Sequence, residues 1–468
     1  MTVTSNRGAT RALAEFTATF DPKTLPDAVR RKLGFLLLDF LRVTSFGARL
    51  PWSNWARHYA GIVGRAGASH VLFSAETLNP QHATFLNVSF GSSYDADDTH
   101  VGAMLHPGVA AWSAALATAE HVGASGAEML AAVVAGYETI IRIGLSMQPG
   151  HFRRGFQSTG TCDVFGTAAA ASRLLFRGRD AERKIIEAIG LAGSYPSGVA
   201  QFYYSGSSGK RIQAAHSAQC GVAAALLAQC GFSGPPDIIE GAGGFARAYG
   251  DGWNASMIES ELGQRFHLMD VLTKSHAAAA RVAAGIDGML ALRLQHGFGA
   301  HDIASIALGI PRIIEGRLTN KHPVDLQAAQ MSLPFSVAVA AKGPLADHVA
   351  DLTVVDFEAG LSDQEVHALE ERTTIALDDE VEAASNDLST AARVSVTLND
   401  GRALSMLVPA PKGSPAKPFT DEEQEERFTR ELATRIPAKS CADIIAMARN
   451  LDRLDPSRLC GLLTGAGH

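Results

Sequence analysis

The sequence predicts a mainly α protein, a large all-helical domain interrupted by a smaller α+β domain, and three observations carry this. From the N-terminus to about residue 230, Ala-rich apolar runs recur at helical spacing with few β-branched alternations. Near residue 270 the texture changes to segments in which apolar and polar residues alternate as in strands. After the linker PAPKGSPAKPF the helical pattern resumes, so the C-terminal helices read as returning to the first body. The resulting boundaries are residues 1–271 plus 410–468 for the helical domain and 272–409 for the insertion.

Each element has a local reason. LPDAVRRKLGFLLLDFLRVTSFGA opens on Pro26-Asp27, a helix-start signal, and closes at Gly47. Its centre LGFLLLDFL is well short of the ~20 residues a membrane span needs and contains Asp39, so it reads as a buried helix. GASGAEMLAAVVAGYETIIRIG starts near Ser125 and sets Glu138 and Arg142 four apart, the spacing of a helix-surface ion pair. TGTCDVFGTAAAASRLLF is a Gly/Thr turn feeding an Ala-rich helix, and AERKIIEAIGLAGSYPSG is a further helix ended by Gly and Pro. So many alanines let helix axes approach closely. Pro235-Pro236 mark a connection. In the insertion, HDIASIALGIPRII, HVADLTVVDF and ARVSVTLNDGRALSMLVP read as strands, the last broken by a hairpin turn at Asn399-Asp400-Gly401. SDQEVHALEERTT and the run QAAQMSLPFSVAVAA, Gln327 to Ala341, read as helices, as do TDEEQEERFTRELATRI and KSCADIIAMARNLDRL near the C-terminus.

Composition narrows the function. With 468 residues, 46% of them hydrophobic, the chain can bury a sizeable core. A net charge of −7 argues against nucleic acid as a partner, since binding a phosphate backbone needs clustered Lys and Arg. The five cysteines, Cys162, Cys220, Cys230, Cys441 and Cys460, are widely spaced and odd in number, which fits a reduced, cytoplasmic setting and disfavours an iron–sulfur cluster. MTVTSNRGATRALAEF lacks a charged segment followed by an apolar one, so neither a signal peptide nor a membrane partner is expected.

The chemistry concentrates in SYDADDTHVGAMLHPG, Ser93 to Gly108, a polar stretch between the apolar runs ATFLNVSF and VAAWSAALATAEHV, with Pro107-Gly108 read as a turn before a helix. Asp95 and Thr99 are four apart and share a face if the stretch makes one helical turn, and His106 then completes a set of carboxylate, hydroxyl and imidazole. Abstraction of a proton next to a carboxylate needs such a base, donor and shuttle. The structural alternative is that Asp97 and Asp98 cap a helix and His106 fills a turn. Asp, Asp, His and His within this stretch are also oxygen and nitrogen donors, but neither H-E-x-x-H nor a calcium loop is present, so no metal is expected.

Two further segments carry candidates. In GSSGKRIQAAH, Lys210 and Arg211 open an Ala-rich helix; this is no Walker loop, because Tyr204 and Arg211 hold its Gly and hydroxyl positions. A cation beside free helix N–H groups is instead a clamp for a carboxylate, although a loop lysine is more often simply solvated. In LTKSHAAAAR, Lys274, His276 and Arg281 lie at the suspected domain boundary, where clefts open and solvated charges are also common.

With these residues in place the chain resembles the MmgE/PrpD family, which contains 2-methylcitrate dehydratase, cis-aconitate decarboxylase and iminodisuccinate epimerase. SYDADDTHVGAMLHPG is similar to its signature of an Asp-Phe-Asp-Asp-Thr-His run followed by His-Pro, and TGTCDVFGTAAAASRLL, GKRIQAAHSAQCGVAAALLAQCGFSGPPDIIEG and AAQMSLPFSVAVA resemble its later landmarks. The resemblance spans nearly the whole chain. It implies a helical domain with an α+β lid, a homodimer, and a site that uses no cofactor. It also implies Asp95, Thr99, His106 and Lys210 as catalytic residues and Lys274 as a substrate-binding one; His276, Gln157 and Arg211 are the further substrate-binding candidates of this sequence itself.

The departures from the pattern are specific. Gln157 stands where the family has a histidine before the Ser/Thr-Gly-Thr turn, and it cannot shuttle a proton near neutral pH. Ser92, Ala96 and Ile212 replace a His, a Phe and a His; the Pro-Tyr-Pro stretch near Lys274 is absent, and EGRLTNKHP lacks the expected tyrosine. The expectation is therefore a cofactor-independent lyase-type enzyme that abstracts a proton next to a carboxyl group of a small di- or tricarboxylate. The alternatives are a dicarboxylate epimerase and a catalytically silent member that binds a ligand or partner.

Overall fold

The computed structural model describes residues 8–205, 207–343 and 351–464. The fold is mainly α, and the chain divides into two compact units, one of Met1–Ala200, Lys210–Asp270 and Thr420–His468, the other of Gln201–Gly209 and Val271–Phe419. Compared with the boundaries read from sequence, the second unit also takes in Gln201–Gly209 and runs on to Phe419.

The first unit is built on α1 (Asp27–Gly47), α2 (Pro80–Ser93), α3 (Pro107–Val122), α4 (Gly126–Met147), α5 (Ser158–Leu175) and, from Lys210 onward, α6 (Gly209–Gln229). The helices Asp421–Leu432 and Ala438–Ala448 belong to the same unit. α4 begins in a reciprocal cap in which the Ser125 hydroxyl accepts from the Glu128 N–H and the Glu128 carboxylate accepts from the Ser125 N–H. It is the one described helix long and apolar enough to cross a membrane, yet 94% of its most apolar window is buried inside this unit. α4 and α5 meet at Gly136 and Gly166: a Cβ on Gly166 would lie 2.2 Å from Ile140 Cγ1 and 2.6 Å from the Gly136 carbonyl oxygen. Small residues let these two axes approach, and the stacking sets the floor beneath the polar stretch.

Two expectations are corrected here. The unit is not all-helical, because β1 (Ala66–His70) and β2 (Thr77–Leu78) form a short antiparallel ribbon whose register slips between Ala66 and Ser69, which hides any strand alternation. Glu138 and Arg142 do pair, at 3.0 Å, but inside the protein rather than on a helix surface, both side chains being fully buried.

The second unit carries α7 (Ala283–His296), β3 (Ile303–Ile310), α8 (Leu326–Gln330), α9 (Leu333–Lys342), α10 (Val354–Leu361), α11 (Gln364–Glu371), β4 (Thr373–Leu377), β5 (Ala392–Leu398) and β6 (Ala403–Val408). The sheet order is β4-β3-β5-β6, with β3 and β4 parallel and the other neighbours antiparallel. Ala392, Val394, Val396 and Leu398 alternate inward from β5, and α7 packs on β5 and β6. Asn399-Asp400-Gly401 forms the hairpin turn, with Gly401 at φ 90°.

Here too the sequence misleads at two places. HVADLTVVDF, whose first residues lie outside those described, is not a strand where it is described: the Asp356 carboxylate accepts from both the N–H and the hydroxyl of Thr353, and α10 starts there. One outer strand is instead β4, whose first two residues, Thr373 and Thr374, end the segment read as a helix. The run from Gln327 to Ala341 is two helices, since Ser332 caps the second and Pro334, which has no N–H to donate, stands in its first turn.

Candidate active site

α2 stops at Ser93 and the chain turns at Asp95, whose φ of 56° lies in the left-handed region that Asp tolerates better than most residues. Residues 95–98 are not helical, so Asp95 and Thr99 do not share a helix face, and each finds a different partner. Asp95 accepts two hydrogen bonds from Lys210 Nζ, at 2.7 and 2.8 Å, and both residues are buried. Lys210 stands in the first turn of α6, so this pair ties the polar stretch to that helix.

Thr99 belongs to a second group, around His106. Nδ1 of His106 lies 3.0 Å from the Asp98 carbonyl oxygen, 3.0 Å from Thr99 Oγ1 and 3.6 Å from Asp97 Oδ2. A nitrogen facing a carbonyl oxygen carries the proton, so the neutral ring keeps its lone pair on Nε2, the position from which it can act as a base. The His106 N–H donates to Thr159 Oγ1 at 3.1 Å, fixing the residue against α5 just before α3 begins. The set expected from sequence therefore forms with Asp97, not Asp95, as its carboxylate.

Beneath these groups lies a buried layer of carboxyls. Asp98 accepts from the Gly108 N–H and from the Tyr137 hydroxyl, each at 2.8 Å, and burial pushes its carboxyl up to about 7. Gly108 cannot carry a side chain here, because a Cβ would lie 2.3 Å from Asp98 Oδ2 and 2.4 Å from Tyr137 Oη. Asp163 is fully buried on α5 with neither carboxylate oxygen hydrogen-bonded; burial, then the charges of Asp98 and Asp97, push it well above the usual carboxylate range. His100 accepts the Ala103 N–H on Nδ1, and burial lowers its imidazole to about 4, which keeps it neutral. Asp98 and His100 thus fix the stretch, as the capping alternative had it for Asp98.

The other candidates are placed as follows. Gln157 is the N-cap of α5, its side-chain oxygen accepting the Gly160 N–H. The Arg211 guanidinium lies over the Trp52 ring at 4.0 Å and its Nε donates to the Ser93 carbonyl, while Ile212 is exposed. In the second unit, Lys274 and His276 are both buried; His276 Nε2 bonds Asp287 at 2.9 Å and its Nδ1 accepts the Leu352 N–H at 3.0 Å, so both ring nitrogens are engaged. Sequence reasoning missed Tyr137, Thr159 and Asp163. Only Asp163, a lone acid in an Ala-rich helix, left a signal.

Together, the first unit offers a histidine with a defined basic nitrogen, a buried lysine whose charge a carboxylate can share, and two carboxyls, Asp98 and Asp163, whose burial favours the protonated form. The chain is similar to known proteins over nearly its whole length. The MmgE/PrpD N-terminal domain matches residues 11–257 and the MmgE/PrpD C-terminal domain residues 276–453. The chain is 26% identical to the cis-aconitate decarboxylase-like protein oryM of Aspergillus oryzae, over 99% of this chain and 100% of that protein. It is 26% identical to a cis-aconitate decarboxylase of Aspergillus terreus, over 97% of this chain and 96% of the relative. With the Homo sapiens cis-aconitate decarboxylase it shares 24% identity over 94% and 90% of the two chains.

Proposed function

Because the chain belongs to the MmgE/PrpD family, we propose that it is a cofactor-independent lyase that abstracts a proton next to a carboxyl group of a small di- or tricarboxylate, in the manner of a decarboxylase or dehydratase. The observation that carries this is the His106 ring, held through Nδ1 by the Asp98 carbonyl and the Thr99 hydroxyl in the loop whose Asp95 pairs with Lys210. His106 Nε2 takes or returns the proton. Lys210 binds a substrate carboxylate and offsets the enolate-like charge, the step with the highest cost, while Asp95 holds Lys210 in place. Lys274 as a second carboxylate-binding lysine, a homodimeric state and a cytoplasmic setting belong to the same reading.

The test is to incubate the protein with cis-aconitate, 2-methylcitrate, citrate and iminodisuccinate in deuterated solvent. Net product together with deuterium incorporation, both lost in His106→Ala, is the expected result. A second reading, a dicarboxylate epimerase, is favoured by Gln157, which caps a helix where the family carries a proton-shuttling histidine. Exchange without net product from a non-epimeric substrate would point there, and no exchange with any of the four would overturn both readings.

A further inference from the structure

We propose that the second unit holds a binding site for a zinc-class divalent cation, formed by His322, His367 and Glu370. α11 sets His367 and Glu370 one turn apart on one face, and the loop before α8 brings His322, at φ 57°, to them. One donor atom from each of the three residues lies within 4.8 Å of the others. The Glu370 side chain is fully buried, and its Oε2 has no hydrogen-bond partner. That oxygen faces His322 Nδ1 at 3.5 Å and His367 Nδ1 at 3.7 Å. Two ligands about 2.0–2.1 Å from a tetrahedral ion are about 3.4 Å apart, so these spacings are those of ligand pairs rather than of hydrogen bonds.

The outer contacts point the same way. His367 Nε2 donates to the Leu361 carbonyl at 3.0 Å, and His322 Nε2 lies 3.0 Å from the Glu371 carboxylate. Each ring thus spends its proton on an outward acceptor, which leaves the Nδ1 lone pairs facing Glu370, the arrangement by which proteins orient metal-bound histidines. Glu370 Oε1 is meanwhile held by the His322 N–H at 3.0 Å. Two imidazoles and one carboxylate suit zinc, cobalt or nickel, and both rings are partly exposed, which gives an ion entry and leaves room for a water as fourth ligand.

Two other clusters in the first unit lack this logic. At His100, His267 and Asp270, the Ala103 N–H occupies His100 Nδ1, so His100 Nε2 carries the proton and cannot ligate. At His70, Glu120 and Cys460, His70 Nδ1 and Glu120 Oε1 are 2.6 Å apart, a hydrogen bond and too close for two ligands of one ion.

The test titrates zinc chloride into the tag-free, full-length protein against a chromophoric chelator. One equivalent should bind and raise the melting temperature, and cobalt should give the visible absorption of a tetrahedral site. His322→Ala and His367→Ala should each abolish stoichiometric binding with the circular dichroism spectrum unchanged, and Glu371→Gln should weaken it roughly 10–100-fold. Should His367→Ala fail to fold, the exposed His322→Ala carries the test. Failure of the wild type to bind, or undiminished binding in His322→Ala, overturns the proposal.

Discussion

Lys210 Nζ reaches both carboxylate oxygens of Asp95, at 2.7 and 2.8 Å, with neither side chain more than 11% exposed. Removing one partner of such a pair leaves the other charge buried alone, at a cost of roughly 3–5 kcal/mol. Asp95→Asn isolates that effect, since Asn accepts the left-handed backbone as readily as Asp. Asp95→Asn and Lys210→Met should each lower stability and turnover. The double variant should be less destabilised than the sum of the two. Additive unfolding free energies in denaturant titrations would show that the pair is not coupled.

Asp98 gives stability a pH dependence of unusual sign. Its native carboxyl titrates near 7 against an ordinary 3.8, so between these values the native state holds a proton that the unfolded chain has released. Stability is therefore highest at the acidic end of that window and falls as pH rises to about 7. The shift corresponds to a loss on the order of 4 kcal/mol at 1.36 kcal/mol per pH unit. Asp163 acts in the same direction, so the readout is the contrast between the wild type and Asp98→Asn, whose stability should fall less across the window. Parallel curves would remove Asp98 as the cause.

The Tyr137 hydroxyl, which donates to Asp98, lowers that carboxyl against the larger effect of burial. Tyr137→Phe should therefore move the upper edge of the pH window higher and cost roughly 1–3 kcal/mol for the lost partner. Gly108→Ala collides with both groups and should cost a further ~1–3 kcal/mol from overpacking, with turnover reduced because Gly108 lies two residues after His106. Unfolding curves over a pH series check the first variant, and activity at matched folded fraction checks the second.

What sequence could and could not show follows from the range of the forces involved. The helix limits of α1 and the start of α4 rest on neighbours in the chain, and Asp27, Gly47 and Ser125 were legible. Asp95, Thr99, His106 and Lys210 were legible as residue types, through their pattern and the family resemblance. Their grouping was not, because Lys210 lies 115 residues beyond Asp95 in the chain and Asp97 replaces Asp95 beside His106. Tyr137 meets Asp98, and Asp163 joins the buried acids, only where α4 and α5 stack beneath the loop. The VV of HVADLTVVDF has strand propensity, but the cap between Thr353 and Asp356 decided the outcome.

Arg142 supplies the strongest structural prediction. Its Nε donates to Glu138 at 3.0 Å, while its terminal nitrogens donate to the carbonyls of Ser260 and Arg265, each at 2.8 Å, and of Met257 and Ile258, each at 3.2 Å. Glu138 in turn accepts the Leu268 N–H at 3.1 Å, so one buried pair pins residues 257–268 to α4. Lysine keeps the charge but not the planar fork, and methionine keeps neither. Stability should fall from wild type to Arg142→Lys to Arg142→Met, the last by at least ~3–5 kcal/mol because Glu138 and several carbonyls lose their donor. Proteolysis should then open the 257–268 segment first. A wild-type melting temperature in Arg142→Lys would mean that charge alone, without the fork, holds this segment.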